Sequence, residues 1–216
     1  MAASRHVCYS ELDEREPGSL YPTNPVNPQV FFDITIGGKS VGRIVMELFH
    51  DVTPNCATNF KALCTGECGM GKVHKKPLHL RGTRFFRIVP GYMAQGGDIV
   101  HDNGTEGECI WGSRFADENF ERKHIGCGTI SYANKGPHTN VSQFFFALGA
   151  CPWLDGRYVV FGQVLEGFDV LKAMATEAGS IAGKTTQKVL IANCGTWNPL
   201  ELKEKMNASL DDWKSF

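Results

Sequence analysis

Cys64, Cys68, His74 and His79 are the first residues whose types and spacing suggest chemistry, because thiols and imidazoles are the usual ligands of zinc. Their spacing, C-x3-C-x5-H-x4-H, is not that of the common zinc modules, and the segment reads as a single loop. No metal or other cofactor is expected. A second set lies just beyond it. Arg87 carries a guanidinium, a rigid fork of donors that stays charged and can stabilise developing charge. On its own it reads as a surface salt-bridge arginine. Around it stand Phe86, Tyr92, Met93 and Gln95. Aromatic and methionine side chains suit a shaped apolar socket as well as an ordinary core.

These residues need elements to position them. Val30 to Ile36 alternates in strand fashion, Gly37-Gly38 marks a turn, and Gly42 to Phe49 reads as the returning strand. Thr53 suits an N-cap and Pro54 the first helical position, with Ala57, Phe60, Leu63 and Cys64 at helical spacing. Residues 65–83 form a long loop. Strands are expected at 83–89, 92–99, 128–132, 143–148, 158–164 and 187–193. A second helix is expected at 167–175, with Phe168, Leu171 and Met174 on one face. The expected class is mainly β: a closed eight-stranded antiparallel barrel capped by two α-helices. Residues 1–28 read as an irregular N-terminal arm and 29–197 as the main domain. Residues 198–216 read as an added amphipathic C-terminal helix, with Leu202, Met206, Leu210 and Trp213 in one stripe.

The chain has 216 residues, 42% of them hydrophobic, with a formal net charge of −1. That suits one domain with a substantial core. The charges are interspersed, so neither a nucleic-acid track nor a binding face for anionic membranes is indicated. No apolar run approaches the roughly 18 residues of a membrane span, and the N-terminus does not read as a signal peptide. A cytoplasmic location is expected, and with it reduced thiols at all eight cysteines.

Three segments carry a family resemblance. They are Phe85 to Asp98 (FFRIVPGYMAQGGD), Tyr132 to Phe145 (YANKGPHTNVSQFF) and Trp153 to Arg157 (WLDGR). They resemble the signature segments of the cyclophilins, in family order and at family-like distances. Val30 to Ile34 and Asp117 to Phe120 match as well. The resemblance covers about residues 28–197 and implies the same barrel. It also implies a peptidyl-prolyl cis-trans isomerase acting on proline-containing peptide segments. Arg87 matches the catalytic arginine. Tyr92, Met93, Phe145 and Leu154 match the pocket for the proline ring. Gln95 and Gln143 match groups that hold the substrate backbone, and Ala133 and Asn134 match the edge that pairs with the peptide. Trp153 matches a rim tryptophan associated with cyclosporin binding.

The match departs at several positions. Phe86 and Tyr158 stand where most members have histidine, which keeps a stacking surface and loses imidazole hydrogen bonds. Tyr92 adds a hydroxyl to the pocket. Lys135 adds a cation near the side pocket that reads the residue upstream of proline, which would favour acidic substrates. Val141 replaces a usual glycine, and a position needing positive φ would strain it. The loop at 68–80 with Glu108 resembles the divergent-loop subgroup. In that subgroup, thiols matching Cys64 and Cys194 are thought to be redox active; in a reduced compartment two inert buried thiols are the simpler reading. Reduced or altered activity is expected, not its absence. The alternative is a binding subunit of a larger assembly that associates through residues 1–28 and 198–216.

Overall fold

The structure, a computed structural model, describes residues 20–198. The expected helix at 198–216 lies outside the described residues apart from Asn198, as do residues 1–19 of the arm. Eight strands run in chain order: β1 (Gln29–Ile36), β2 (Lys39–Leu48), β3 (Arg84–Val89), β4 (Met93–Gly96), β5 (Thr129–Tyr132), β6 (Phe144–Ala147), β7 (Val160–Glu166) and β8 (Lys184–Thr196). They close in the order β1-β2-β7-β5-β6-β4-β3-β8, every pair antiparallel. Closure pairs every edge, so among the described residues no strand is left open to add another chain. Helix α1 (Pro54–Thr65) lies after β2. Helix α2 (Phe168–Ala173) follows β7 and widens into a π-helical turn, Met174–Ala178.

The barrel is filled because one face of each strand is apolar. In β1, Val30, Phe32, Ile34 and Ile36 are buried in strict alternation. Phe32, Phe60, Phe85, Phe144, Phe146 and Phe161 form the aromatic centre, with Phe60 and Phe144 edge-to-face at 5.0 Å. Residues 20–28 of the arm lie against the barrel. The Asn24 N–H and the Asn27 amide both donate to Glu47, whose other oxygen accepts from Gln163. Those bonds satisfy a carboxylate that is almost wholly buried.

The observed boundaries differ from the expected ones for local reasons. Strand β4 stops at Gly96, because the chain then turns so that the Asp98 carboxylate can gather N–H groups from the following loop. Strand β7 begins at Val160, because Tyr158 still closes the turn begun at the short 3-10 segment Pro152–Leu154. Thr53 does occupy the N-cap position of α1, but its hydroxyl donates back to Phe49 O and caps nothing. Glu118, distant in sequence, accepts the Asn55 and Cys56 N–H groups at 2.9 Å each. A carboxylate on two free N–H groups at a helix start stabilises it electrostatically as well. Glu118→Ala is expected to lower unfolding free energy by about 1–2 kcal/mol, whereas Thr53→Ser should be nearly silent; urea denaturation compares the two.

Candidate functional site

Strand register builds the site. Arg87 on β3 stands opposite Gln95 on β4, Gln95 opposite Phe145 on β6, and Phe145 opposite Ser131 on β5. Directly paired residues share a face, so these four form one row on the outer side of the barrel wall. Their neighbours Ile88, Ala94, Phe146 and Ile130 point to the core. Arg87 itself is exposed.

Beside this row lies a small apolar cluster separate from the main core. Met93, Phe145, Cys151 and Leu154 are its buried members, and Tyr92, Ala133 and Tyr158 pack on them. Tyr158 meets the Phe145 ring edge-on at 5.7 Å, and Trp153 lies 6.0 Å from Tyr92. The Trp153 side chain is largely exposed at the rim. The sequence-predicted apolar residues are thus brought together.

The polar partners adjoin them. Gln95 Nε2 donates to Gln143 Oε1 at 3.0 Å, and Gln143 Nε2 donates to Gly104 O and Glu106 O at 3.1 and 2.7 Å. These bonds fix both amides, so their free polar atoms face a defined direction. Asn134 donates to Arg157 O and accepts from the Gly136 N–H. Lys135 Nζ donates across to Thr105 O. It also lines a cavity of about 180 Å³ together with Gln95, Gln143, Glu106, Arg114 and His74, among others.

Phe86 does not join the apolar cluster. A register shift between Phe85 and Arg87 places it at a bulge, and bulges re-aim side chains. Its ring lies against Gly104, where a Cβ would come within 2.5 Å of it. Phe86 therefore supports the wall of the cavity. Val141 lines the same cavity in ordinary backbone: the non-glycine residues with positive φ are Lys75, Asp102 and His138 among those described. The strain expected from a valine at this position is absent.

Glu108 holds the long loop by accepting the Val73 and His74 N–H groups at 2.9 Å each. Burial raises its carboxyl, but these bonds outweigh it and hold the group below its ordinary value. Cys64 is sealed in the core, and His79 turns to the carbonyl of Cys64, not to its thiol. Among the described residues no three His, Cys, Asp or Glu side chains converge as metal ligands. Cys56, Cys64, Cys68, Cys109, Cys151 and Cys194 form no disulfide. Burial pushes the Cys194 thiol up to about 12 and that of Cys64 well above its ordinary value, so both are protonated in this state.

Sequence reasoning missed His124. Its imidazole stacks flat on Phe145, with ring centres 5.9 Å apart and planes 8° from parallel. It belongs to none of the three signature segments, and bonds to Asp155, Ser131 and the Cys151 N–H bring it behind the cluster. Arg114, Glu106 and His74 were likewise not singled out for the cavity, since their charges are ordinary for surface loops.

A family model described as cyclophilin-type peptidyl-prolyl cis-trans isomerase/CLD matches residues 31–196. The chain is also similar to a curated protein of Rhizopus delemar, peptidyl-prolyl cis-trans isomerase cyp11. The two are 51% identical over 170 residues, which are 79% of this chain and 50% of that protein. The chain therefore spans about half the length of the curated relative it matches.

Proposed function

This chain belongs to the cyclophilin-type peptidyl-prolyl cis-trans isomerase family, and on that premise we propose that it catalyses rotation about peptide bonds that precede proline. The observation that carries the reading is the row of Arg87, Gln95 and Phe145 on three adjacent strands, with an apolar cluster beside it.

The barrier to be lowered is about 18–20 kcal/mol. No bond is made or broken, so neither nucleophile nor metal is required. In the twisted state the amide loses conjugation and the proline nitrogen regains a lone pair. Only contacts stronger in that state accelerate the step. Tyr92, Met93, Phe145 and Leu154 hold the ring. Gln95 and Gln143, with the Ala133–Asn134 backbone, hold the chain preceding it. Arg87 then donates to the nitrogen as it becomes pyramidal. Phe86 and Tyr158 contribute no imidazole donors, and this lowers the expected turnover. Because Phe86 packs on Gly104 instead of joining the cluster, a weakly active binding subunit is the second reading.

The reading extends to ligands and place. The exposed Trp153 ring beside Tyr92 suits a cyclosporin-type ligand. We place the chain in the reducing cytoplasm, with partners in an assembly engaged through its two ends. Cys64 and Cys194 are proposed as a redox pair that operates only under strong oxidant; loss of two titratable thiols after peroxide treatment checks it. The cavity beside the two glutamines carries Lys135, Arg114 and His74 against Glu106, which suits an acidic side chain upstream of proline. Glutamate there is expected to be preferred over lysine about threefold in kcat/KM. Lys135→Ala should weaken that preference while leaving the rate on alanine-containing peptides unchanged.

The activity is tested on a protein whose slow refolding phase is limited by proline isomerisation. Substoichiometric amounts of this chain should accelerate that phase, and a cyclosporin-type ligand should cancel the acceleration. An unchanged slow phase would favour the binding subunit.

A further inference from the structure

A hydrogen-bonded line runs behind the apolar cluster and out to the N-terminal arm. His124 Nδ1 lies 2.8 Å from Asp155 Oδ1, and His124 Nε2 lies 2.8 Å from Ser131 Oγ. Asp155 also accepts the His124 N–H at 2.9 Å. Burial alone would raise its carboxyl, but the bonds from His124 hold it below the ordinary value, so it is ionised and can only accept. The proton therefore sits on Nδ1. Burial pushes His124 below its ordinary value in spite of Asp155, so the ring is neutral and Nε2 accepts from the Ser131 hydroxyl.

The order serine, histidine, aspartate is that of a hydrolytic triad. Ser131 and His124 are 0% and 1% exposed, however, so no substrate can reach the hydroxyl. What the relay does contact is Phe145. His124 stacks on that ring, and Ser131 stands directly opposite it in the sheet. The relay locks the tautomer and orientation of an imidazole that backs the floor of the socket.

The other end of the line is Tyr21. Its hydroxyl donates to Lys123 O and accepts from the Lys123 N–H, each at 2.8 Å. Lys123 immediately precedes His124. Tyr21 is itself fixed to the barrel. Its N–H donates to Gln163 Oε1, Gln163 Nε2 donates to its carbonyl, its ring meets Phe49 edge-on at 5.5 Å, and Arg122 lies 4.4 Å above it.

We propose that Tyr21 and His124 are positioning residues of the proline socket: the arm, through the Lys123 peptide, sets the His124 ring and with it the face of Phe145. The segment that reads as an irregular tail is then part of the support of the substrate site. This rests on reading the Phe145 cluster as the proline site, and it adds a residue from outside the barrel to that site.

Tyr21→Phe in the full chain removes one hydroxyl and keeps the ring contacts to Phe49 and Arg122, so the fold is retained. Asn24→Ala is the control, because it loosens the arm at Asp51 without touching Lys123. Two readouts are taken. The first is the NMR shift of the His124 ring nitrogens and Phe145 ring carbons in the free protein, which needs neither peptide nor turnover. The second is the affinity for an X–Pro peptide alongside kcat. In Tyr21→Phe both rings should shift and affinity should fall about three- to tenfold, the worth of one hydrogen bond, with kcat little changed. In Asn24→Ala the rings should stay in place. Unmoved rings in folded Tyr21→Phe, or equal movement in both variants, would overturn the proposal. A wild-type chain that binds no X–Pro peptide would defeat the reading of the socket, and the ring shifts would still decide the coupling.

Discussion

Arg87→Ala is expected to lower kcat for X–Pro isomerisation by about two to three orders of magnitude, as loss of a transition-state donor does, while peptide affinity changes little. The group removed is exposed on the outer face of β3, and among the described residues no carboxylate pairs with it. Its stem rests on Gly183, where a Cβ would come within 3.0 Å of Arg87 Cγ. Removing it leaves no buried cavity and no orphaned partner, so unfolding free energy should stay within about 0.5 kcal/mol of wild type. The split is what identifies the role. A residue that held the substrate equally in both states would raise KM and spare kcat, whereas a donor used only when the nitrogen turns pyramidal lowers kcat. Arg87→Lys should fall between, because it keeps a charge and loses the fork. Peptide titration and turnover, measured on the same variants, separate these outcomes.

Asp98→Ala is expected to be the most destabilising substitution near the site, at about 3–5 kcal/mol. Its side chain is wholly buried, and it accepts N–H groups from Val100, His101, Asn103, Gly104 and Glu106. Without it, five donors of one loop face a cavity with no acceptor. The same loop offers Gly104 O and Glu106 O to Gln143, and Thr105 O to Lys135. Peptide affinity should therefore fall with stability. The pH dependence follows from the direction of the shift. Burial raises the Asp98 carboxyl, but the backbone bonds outweigh it and hold the group below its ordinary value. A carboxyl whose folded value lies below the unfolded one, about 3.9, stabilises the fold above that pH. The contribution disappears as pH falls through the folded value. Wild type and Asp98→Ala should accordingly differ most near neutrality, and the gap between them should narrow as pH falls below about 4. Urea unfolding across that range measures it, and a gap that stayed constant would place the stabilisation elsewhere.

Periodicity and composition made most of the barrel legible. The alternation of Val30 to Ile36 and the helical spacing of Ala57, Phe60 and Leu63 are local signals, and both elements form where those signals lie. Ends were less legible, because they are decided by groups far away in the chain. Glu118 caps α1 across more than sixty positions, and Asp98 terminates β4 by gathering a loop. The apolar cluster was legible through three sequence segments. The place of Phe86 outside it was not, because a bulge turns that ring toward Gly104. His124 and Tyr21 were illegible as well. A lone histidine and a tyrosine in a Pro- and Asn-rich arm carry no signal of their own. They acquire meaning only when the sheet places Ser131 opposite Phe145 and the arm reaches Lys123.

The central claim is that this site both grips proline and stabilises the twisted bond. It is tested most directly by exchange NMR on a short X–Pro peptide with substoichiometric protein. The account predicts exchange between the cis and trans proline signals with the wild-type chain, lost with Arg87→Ala although the peptide still binds. Binding by the wild-type chain with no exchange would contradict it, and would leave a barrel that holds proline without turning it.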